Sequence, residues 1–327
     1  MEQPPSVAII GAGSIGTAIG NVIARKRDKE VFLYSIENDV VDSINTKRNN
    51  FKYFPNIKLA RFLKATTDPE ILRESSIIFL AIPSIVTVDY VLEHRTYIQP
   101  GAILLNMAKG FSREQKTITE SLSRKLSNPV CAFKGPTFAR ELIQRLPTGF
   151  TVGSKDPAHE YLLRDLFRDT PVRIDFTTDV KGVELLSILK NIYAIAMGIV
   201  DAHFNSPNLR FLFLTKAFKE MRNILLKYGG KTETMFNYCG YGDFTLTALN
   251  DLSRNRTLGL LIGKGFFTDD ISGKVVLEGK IAVNIFCEEI SKSNDAECNY
   301  PIIGELYKLF NSDYKISEFV NRVINEA

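Results

Sequence analysis

Short apolar runs recur along the first half of the chain, each closed by glycine, proline or polar residues. Val7–Ile10, Val31–Tyr34, Ile77–Ile82, Ala102–Asn106, Val130–Phe133, Gly149–Val152 and Val172–Ile174 are such runs, rich in β-branched and aromatic residues. Runs of this length between turn residues read as strands, and their continuous apolar character reads as burial on both faces. Helical patterns lie between most of them. The alternation predicts an α/β fold with a doubly wound parallel sheet, whose strand carboxyl ends gather on the side where ligands bind.

From about Val180 the period changes. Val183, Leu186, Ile188, Leu189, Ile192, Ile195 and Ile199 recur at helical spacing, and further helices are expected over Leu212–Tyr228, Leu246–Asn250, Leu258–Gly263, Val283–Ser291 and Ile302–Phe310. The second half therefore reads as all-α. The expected division is 1–180 and 181–327, at a strand-to-helix connection near Thr178–Lys181, with a cleft between the domains.

Composition narrows the class. With 327 residues, 45% hydrophobic and 24% charged, the chain can bury two ordinary cores. The net charge of +4 is spread along the chain. Arg25-Lys26-Arg27 is the densest basic stretch and reads as a solvated helix end, so no nucleic-acid partner is expected. Four cysteines and three histidines lack metal-ligand or disulfide spacing, which points to a reducing compartment and no metal. No secretory leader and no run of membrane-spanning length is read, so a cytoplasmic protein without membrane insertion is expected.

The first strand runs directly into Gly11-Ala12-Gly13-Ser14-Ile15-Gly16, with a helix-forming segment after it. Gly11 suits the tight turn, Gly13 suits backbone approach to a pyrophosphate, and Gly16 suits close helix–strand packing. The helix start would aim N–H groups and a positive dipole end at the phosphates. The same triplet also fits a purely structural turn; strand, helix and N-terminal position together favour a Rossmann-like dinucleotide site.

A ketone reduced by hydride needs a proton donor and a positive field, and lysine supplies both. Lys109 follows a strand in Asn106-Met107-Ala108-Lys109-Gly110. Lys190 lies in the apolar helical segment Leu185–Met197, where it is either paired in a cleft or snorkels to the surface. Asp243, in a glycine-bracketed turn, can orient a lysine. Arg254 and Asn255, at a helix start, can donate to a phosphate, although the segment alone also reads as a helix cap with surface charges. Lys134–Glu141, after a strand, is a further candidate ligand loop.

These segments, in this order, resemble the NAD(P)-dependent glycerol-3-phosphate dehydrogenase family of the bacterial soluble type. The resemblance runs from Gly11–Thr17 through Asn50–Pro55, Ala81–Ser84, Lys109-Gly110, Gly135–Glu141, Gly182–Leu185, Leu189–Asn191, Gly240–Asp243, Ser253–Arg256 and Glu278-Gly279 to Pro301-Ile302. It implies reversible reduction of dihydroxyacetone phosphate to sn-glycerol 3-phosphate, feeding glycerophospholipid synthesis. Lys190 would be the general acid and base, held by Asp243, and Lys109 would polarise the carbonyl. Gly135, Thr137, Thr247, Ser253, Arg254 and Asn255 would hold the small phosphorylated substrate. Ser14, Ile15, Lys109, Ala139, Arg254, Val276 and Glu278 would join the glycines around NAD or NADP. It also leaves room for a homodimer, since helical second domains in such dehydrogenases often pair.

Some positions depart from the family. Ile36 stands where a cation for a 2′-phosphate is common, and with Glu37 beside it NAD is favoured. Leu186 and Ser187 replace small residues, His203–Asn208 replaces a glycine-rich loop, and Lys280 replaces an uncharged residue. These changes keep a second reading open: the same chemistry on another phosphorylated polyol or keto-sugar. A non-enzymatic sensor of cofactor state would leave Lys109, Lys190, Asp243, Arg254 and Asn255 without a purpose.

Overall fold

The structure, a computed structural model, describes residues 6–26, 30–266, 273–291 and 300–325, with backbone only for 273–278 and 289–291. It divides into two compact units, Met1–Glu184 and Leu185–Ala327.

The first unit is built on one eight-stranded sheet. Its strands are β1 (Val7–Ile10), β2 (Val31–Tyr34), β3 (Leu63–Thr66), β4 (Ile77–Leu80), β5 (Ile103–Asn106), β6 (Val130–Lys134), β7 (Thr148–Gly153) and β8 (Val172–Thr177). Their order is β3-β2-β1-β4-β5-β6-β7-β8. Helices α1 (Ser14–Lys26), α2 (Asn38–Asp42), α3 (Ser84–Glu93), α4 (Ile118–Ser123), α5 (Ala139–Ile143) and α6 (Ala158–Leu166) connect the strands. Cores lie on both faces of the sheet, so β1, β4 and β5 are buried throughout, as their continuous apolar runs require. Chain order reverses between β1 and β4, and that reversal opens the crevice in which open α/β sheets bind ligands.

Two expectations about the sheet are corrected. β3 is an extra strand at the edge, paired to β2 alone; its alternating buried and half-buried residues, with Lys64 and Thr66 breaking the apolar run, hide it from a search for continuous hydrophobicity. The sheet is also not wholly parallel. β7 pairs antiparallel with β6, and β8 then follows β7 in parallel. The β6–β7 connection carries only the five-residue α5, where a parallel return calls for a full crossover.

The second unit is helical. It comprises most of α7 (Val180–His203), then α8 (Pro207–Lys227), α9 (Asp243–Leu249), α10 (Arg254–Gly263), α11 (Gly273–Ser291), α12 (Pro301–Asn311) and α13 (Ile316–Asn325). The boundary between units falls inside α7, just after Glu184, rather than at the connection before it. α7 also corrects the expectation of no spanning-length segment: among the described residues it alone is long and apolar enough to cross a membrane. However, 94% of its apolar window is buried inside the protein, which makes it a core helix. α7 and α10 approach closely because glycines face each other. A Cβ on Gly259 would lie 2.0 Å from the Ile195 carbonyl oxygen, and one on Gly198 would lie 2.3 Å from that of Arg256. The buried Arg256–Asp201 ion pair, at 2.5 Å, joins the same two helices.

Candidate active site

In the first unit the glycine turn sits at the reversal point. Gly11 has φ +110°, and a Cβ there would lie 2.7 Å from the Ala81 carbonyl oxygen at the end of β4. At Gly16 a Cβ would lie 2.0 Å from the Gly11 carbonyl oxygen, so only glycine lets α1 start this close to β1. Gly13 differs: a Cβ there meets nothing within 4 Å. The turn therefore faces open space at the position where the backbone would meet a pyrophosphate. With the first amides of the 13-residue α1 directed there, Gly11–Gly16, Ser14 and Ile15 fit a dinucleotide.

Asn50, which has no role in the sequence reading beyond the resemblance of Asn50–Pro55, holds this turn. It is fully buried, and its Nδ2 donates to the Ala12 carbonyl (2.8 Å) and to Thr17 Oγ1 (2.9 Å). Beyond β2, Ser35 is buried and Ile36 is 78% exposed. Glu37 is paired with Lys52 at 2.5 Å, so the carboxylate that argued against a 2′-phosphate has a cation beside it.

At the ends of β5 and β6 two lysines make a reciprocal contact. Lys109 Nζ donates to the Gly135 carbonyl (2.9 Å), and Lys134 Nζ donates to the Ala108 carbonyl. Thr137 Oγ1 also donates to the Gly135 carbonyl (3.2 Å). Lys109, Gly135 and Thr137 are thus brought together, and Ala139 begins α5.

In the second unit Lys190 does not snorkel. It is 5% exposed, and its Nζ donates to Asp243 Oδ1 (2.5 Å) and Thr247 Oγ1 (2.9 Å). The Thr247 hydroxyl gives its own proton to the Asp243 carbonyl (2.7 Å), so toward Lys190 it acts as an acceptor. Asp243 and Thr247 lie one turn apart on α9 and grip the ammonium together. Ser253 Oγ accepts from the Arg256 amide (3.3 Å) and so caps α10. Arg254 is exposed and Asn255 half-buried in the first turn of α10, and among the described residues neither side chain has a hydrogen-bond or ion-pair partner. Leu186 and Ser187, whose bulk suggested an altered substrate, are buried in α7. Val276 and Glu278 fall on α11 where side chains lie outside the described residues.

A glycine turn that opens onto free space at the strand-order reversal of a doubly wound sheet is the architecture of a dinucleotide-dependent oxidoreductase, and the helical unit adds a buried lysine gripped by a carboxylate. Residues 6–160 match the model for the N-terminus of NAD-dependent glycerol-3-phosphate dehydrogenase, and residues 179–321 match that for its C-terminus. The chain belongs to this NAD(P)-dependent dehydrogenase family, oxidoreductases acting on CH–OH. It is 32% identical to the glycerol-3-phosphate dehydrogenase (NAD(P)+) of Halothermothrix orenii, over 97% of this chain and 94% of the relative. With that of Methanothermobacter thermautotrophicus it shares 38% identity, covering 79% and 80%. The solved glycerol-3-phosphate dehydrogenase of Coxiella burnetii superposes with TM-score 0.87 at 28% identity, covering 98% of this chain and 99% of that one.

Proposed function

We propose that this chain reversibly reduces dihydroxyacetone phosphate to sn-glycerol 3-phosphate with Lys190 as general acid. The grip of Asp243 and Thr247 on the buried Lys190 ammonium carries this reading. Bound NAD(P)H supplies the hydride for the ketone carbon. The carbonyl oxygen then gains negative charge, and Lys190 Nζ gives it a proton; in the reverse direction the neutral amine takes that proton from the hydroxyl. Asp243 and Thr247 fix the direction of the Lys190 N–H bonds. Lys109 adds a second positive charge at the carbonyl oxygen.

Arg254 and Asn255 take the phosphate, helped by the amides at the start of α10. Their remote contacts supply the binding energy that orients the reacting carbon. Ser253 supports them as the cap of that helix. Ile36, exposed and uncharged, favours NAD over NADP. The product feeds glycerophospholipid synthesis in the cytoplasm, and the helical unit is the place for pairing into a homodimer.

Absorbance of NADH and NADPH with dihydroxyacetone phosphate tests the reading, alongside other phosphorylated ketones. NADH oxidation fastest with dihydroxyacetone phosphate is expected. Arg254→Ala should raise its KM about 10²-fold, the scale of a lost charge-assisted phosphate contact, at unchanged melting temperature. Faster turnover of another phosphorylated ketone would refute the substrate assignment.

A further inference from the structure

Lys134 ends β6 with no exposed side-chain surface, and Glu184, its partner at 3.0 Å, is 1% exposed. Neither has been given a role in binding or chemistry above. Glu184 Oε1 also accepts from Asn106 Nδ2 (2.7 Å), and Oε2 accepts from the Ile118 amide (3.2 Å). Asn106 in turn accepts from the Ala108 amide through Oδ1 (3.0 Å), while Lys134 donates to the Ala108 carbonyl. The residue directly before Lys109 is therefore held on both its backbone groups by side chains that meet on Glu184. Lys109 closes the loop by donating to Gly135, the residue directly after Lys134.

A buried ion pair is a poor device for stability, because desolvation of both charges offsets most of their attraction and an apolar pair of similar volume often does as well. It is a good device for geometry, because a charge surrounded by fixed donors tolerates no displacement. We propose that Lys134, neutralised by Glu184, is a positioning residue for Lys109. It fixes the Ala108 carbonyl, and with it the backbone from which Lys109 reaches the substrate carbonyl. The inference rests on the role given to Lys109 above.

A double-mutant cycle on the full chain tests it, using Lys109→Ala, Lys134→Met and both together, with kcat/KM for dihydroxyacetone phosphate and the melting temperature as readouts. A displacement of about 1 Å at a reacting group costs on the order of 10²-fold, so Lys134→Met should lower kcat/KM by about that factor. In the Lys109→Ala background the same change should cost less than about threefold, since coupled residues are non-additive. Lys134→Met alone removes the cation beside the buried Glu184 carboxylate and lowers the melting temperature. Lys134→Met with Glu184→Gln should recover the melting temperature and not kcat/KM. Equal losses in both backgrounds, or recovery of turnover along with stability, would assign the pair to fold stability and overturn the proposal. If Lys109→Ala alone leaves turnover intact, the role of Lys109 fails, and that single variant reveals it.

Discussion

Replacing Lys190 separates its part in chemistry from its part in packing. Lys190→Met keeps the length of the side chain and removes the ammonium. Asp243, 1% exposed, then loses the cation 2.5 Å away while staying buried. Breaking a buried pair from one side costs about 3–5 kcal/mol. For a unit the size of Leu185–Ala327 that lowers the melting temperature by roughly 10 °C. Loss of a positioned acid should lower kcat by about 10²–10⁴-fold on top of this. The double variant Lys190→Met/Asp243→Asn removes both charges and leaves a neutral amide beside Thr247. Its melting temperature should return most of the way, while turnover stays at the level of the single variant and NADH still binds. Thermal melts, NADH fluorescence and initial rates at saturating dihydroxyacetone phosphate read the three quantities separately. A folded double variant within about threefold of the parent rate would refute the role of Lys190.

Two further outcomes follow from the geometry. Gly13→Ala should weaken NADH binding at least about tenfold, roughly 1.4 kcal/mol, with an unchanged melting temperature, because its Cβ enters open space. Gly16→Ala, whose Cβ would lie 2.0 Å from a carbonyl oxygen, should lose both binding and stability, and equal behaviour of the two in calorimetry and melts would contradict the assigned turn. In the helical unit Glu220 accepts from the Ile302 and Ile303 amides (2.9 Å each) and from the Tyr193 hydroxyl (3.0 Å), so it caps α12 from α8. Burial pushes its carboxyl from the usual 4.5 up to about 7; between those values the folded chain holds a proton the unfolded chain has lost, and stability falls by about 3 kcal/mol as pH rises. Glu220→Gln should flatten that slope in denaturant melts from pH 5 to 8, and an unchanged slope would place the titrating group elsewhere.

The parts of this protein legible in the sequence are those set by neighbours in the chain. β1, the glycine turn and α1 form one local unit, so Gly11 and Gly16 could be given their reasons from spacing alone, and the structure supplies the close contacts that bear those reasons out. Edge strand β3 is hidden because half its positions are polar and only packing shows which face is buried, whereas α13 is legible in the helical spacing of Ile316, Phe319, Val320, Val323 and Ile324 and was passed over. The charged residues mark the deeper limit. Lys190 was open between snorkelling and pairing, since its partner lies 53 residues away on another helix. Lys134 drew notice only as part of a loop, and Glu184 and Asn106 not as site residues at all. Each of the three is unremarkable alone, and a buried lysine is tolerable only through partners that the sheet and α7 bring to it from across the sequence. Composition can show that a charge stands in an apolar run. Whether that charge is solvated, paired or set to hold a neighbouring reactive group is decided by tertiary contacts, and in both units those contacts run to a lysine.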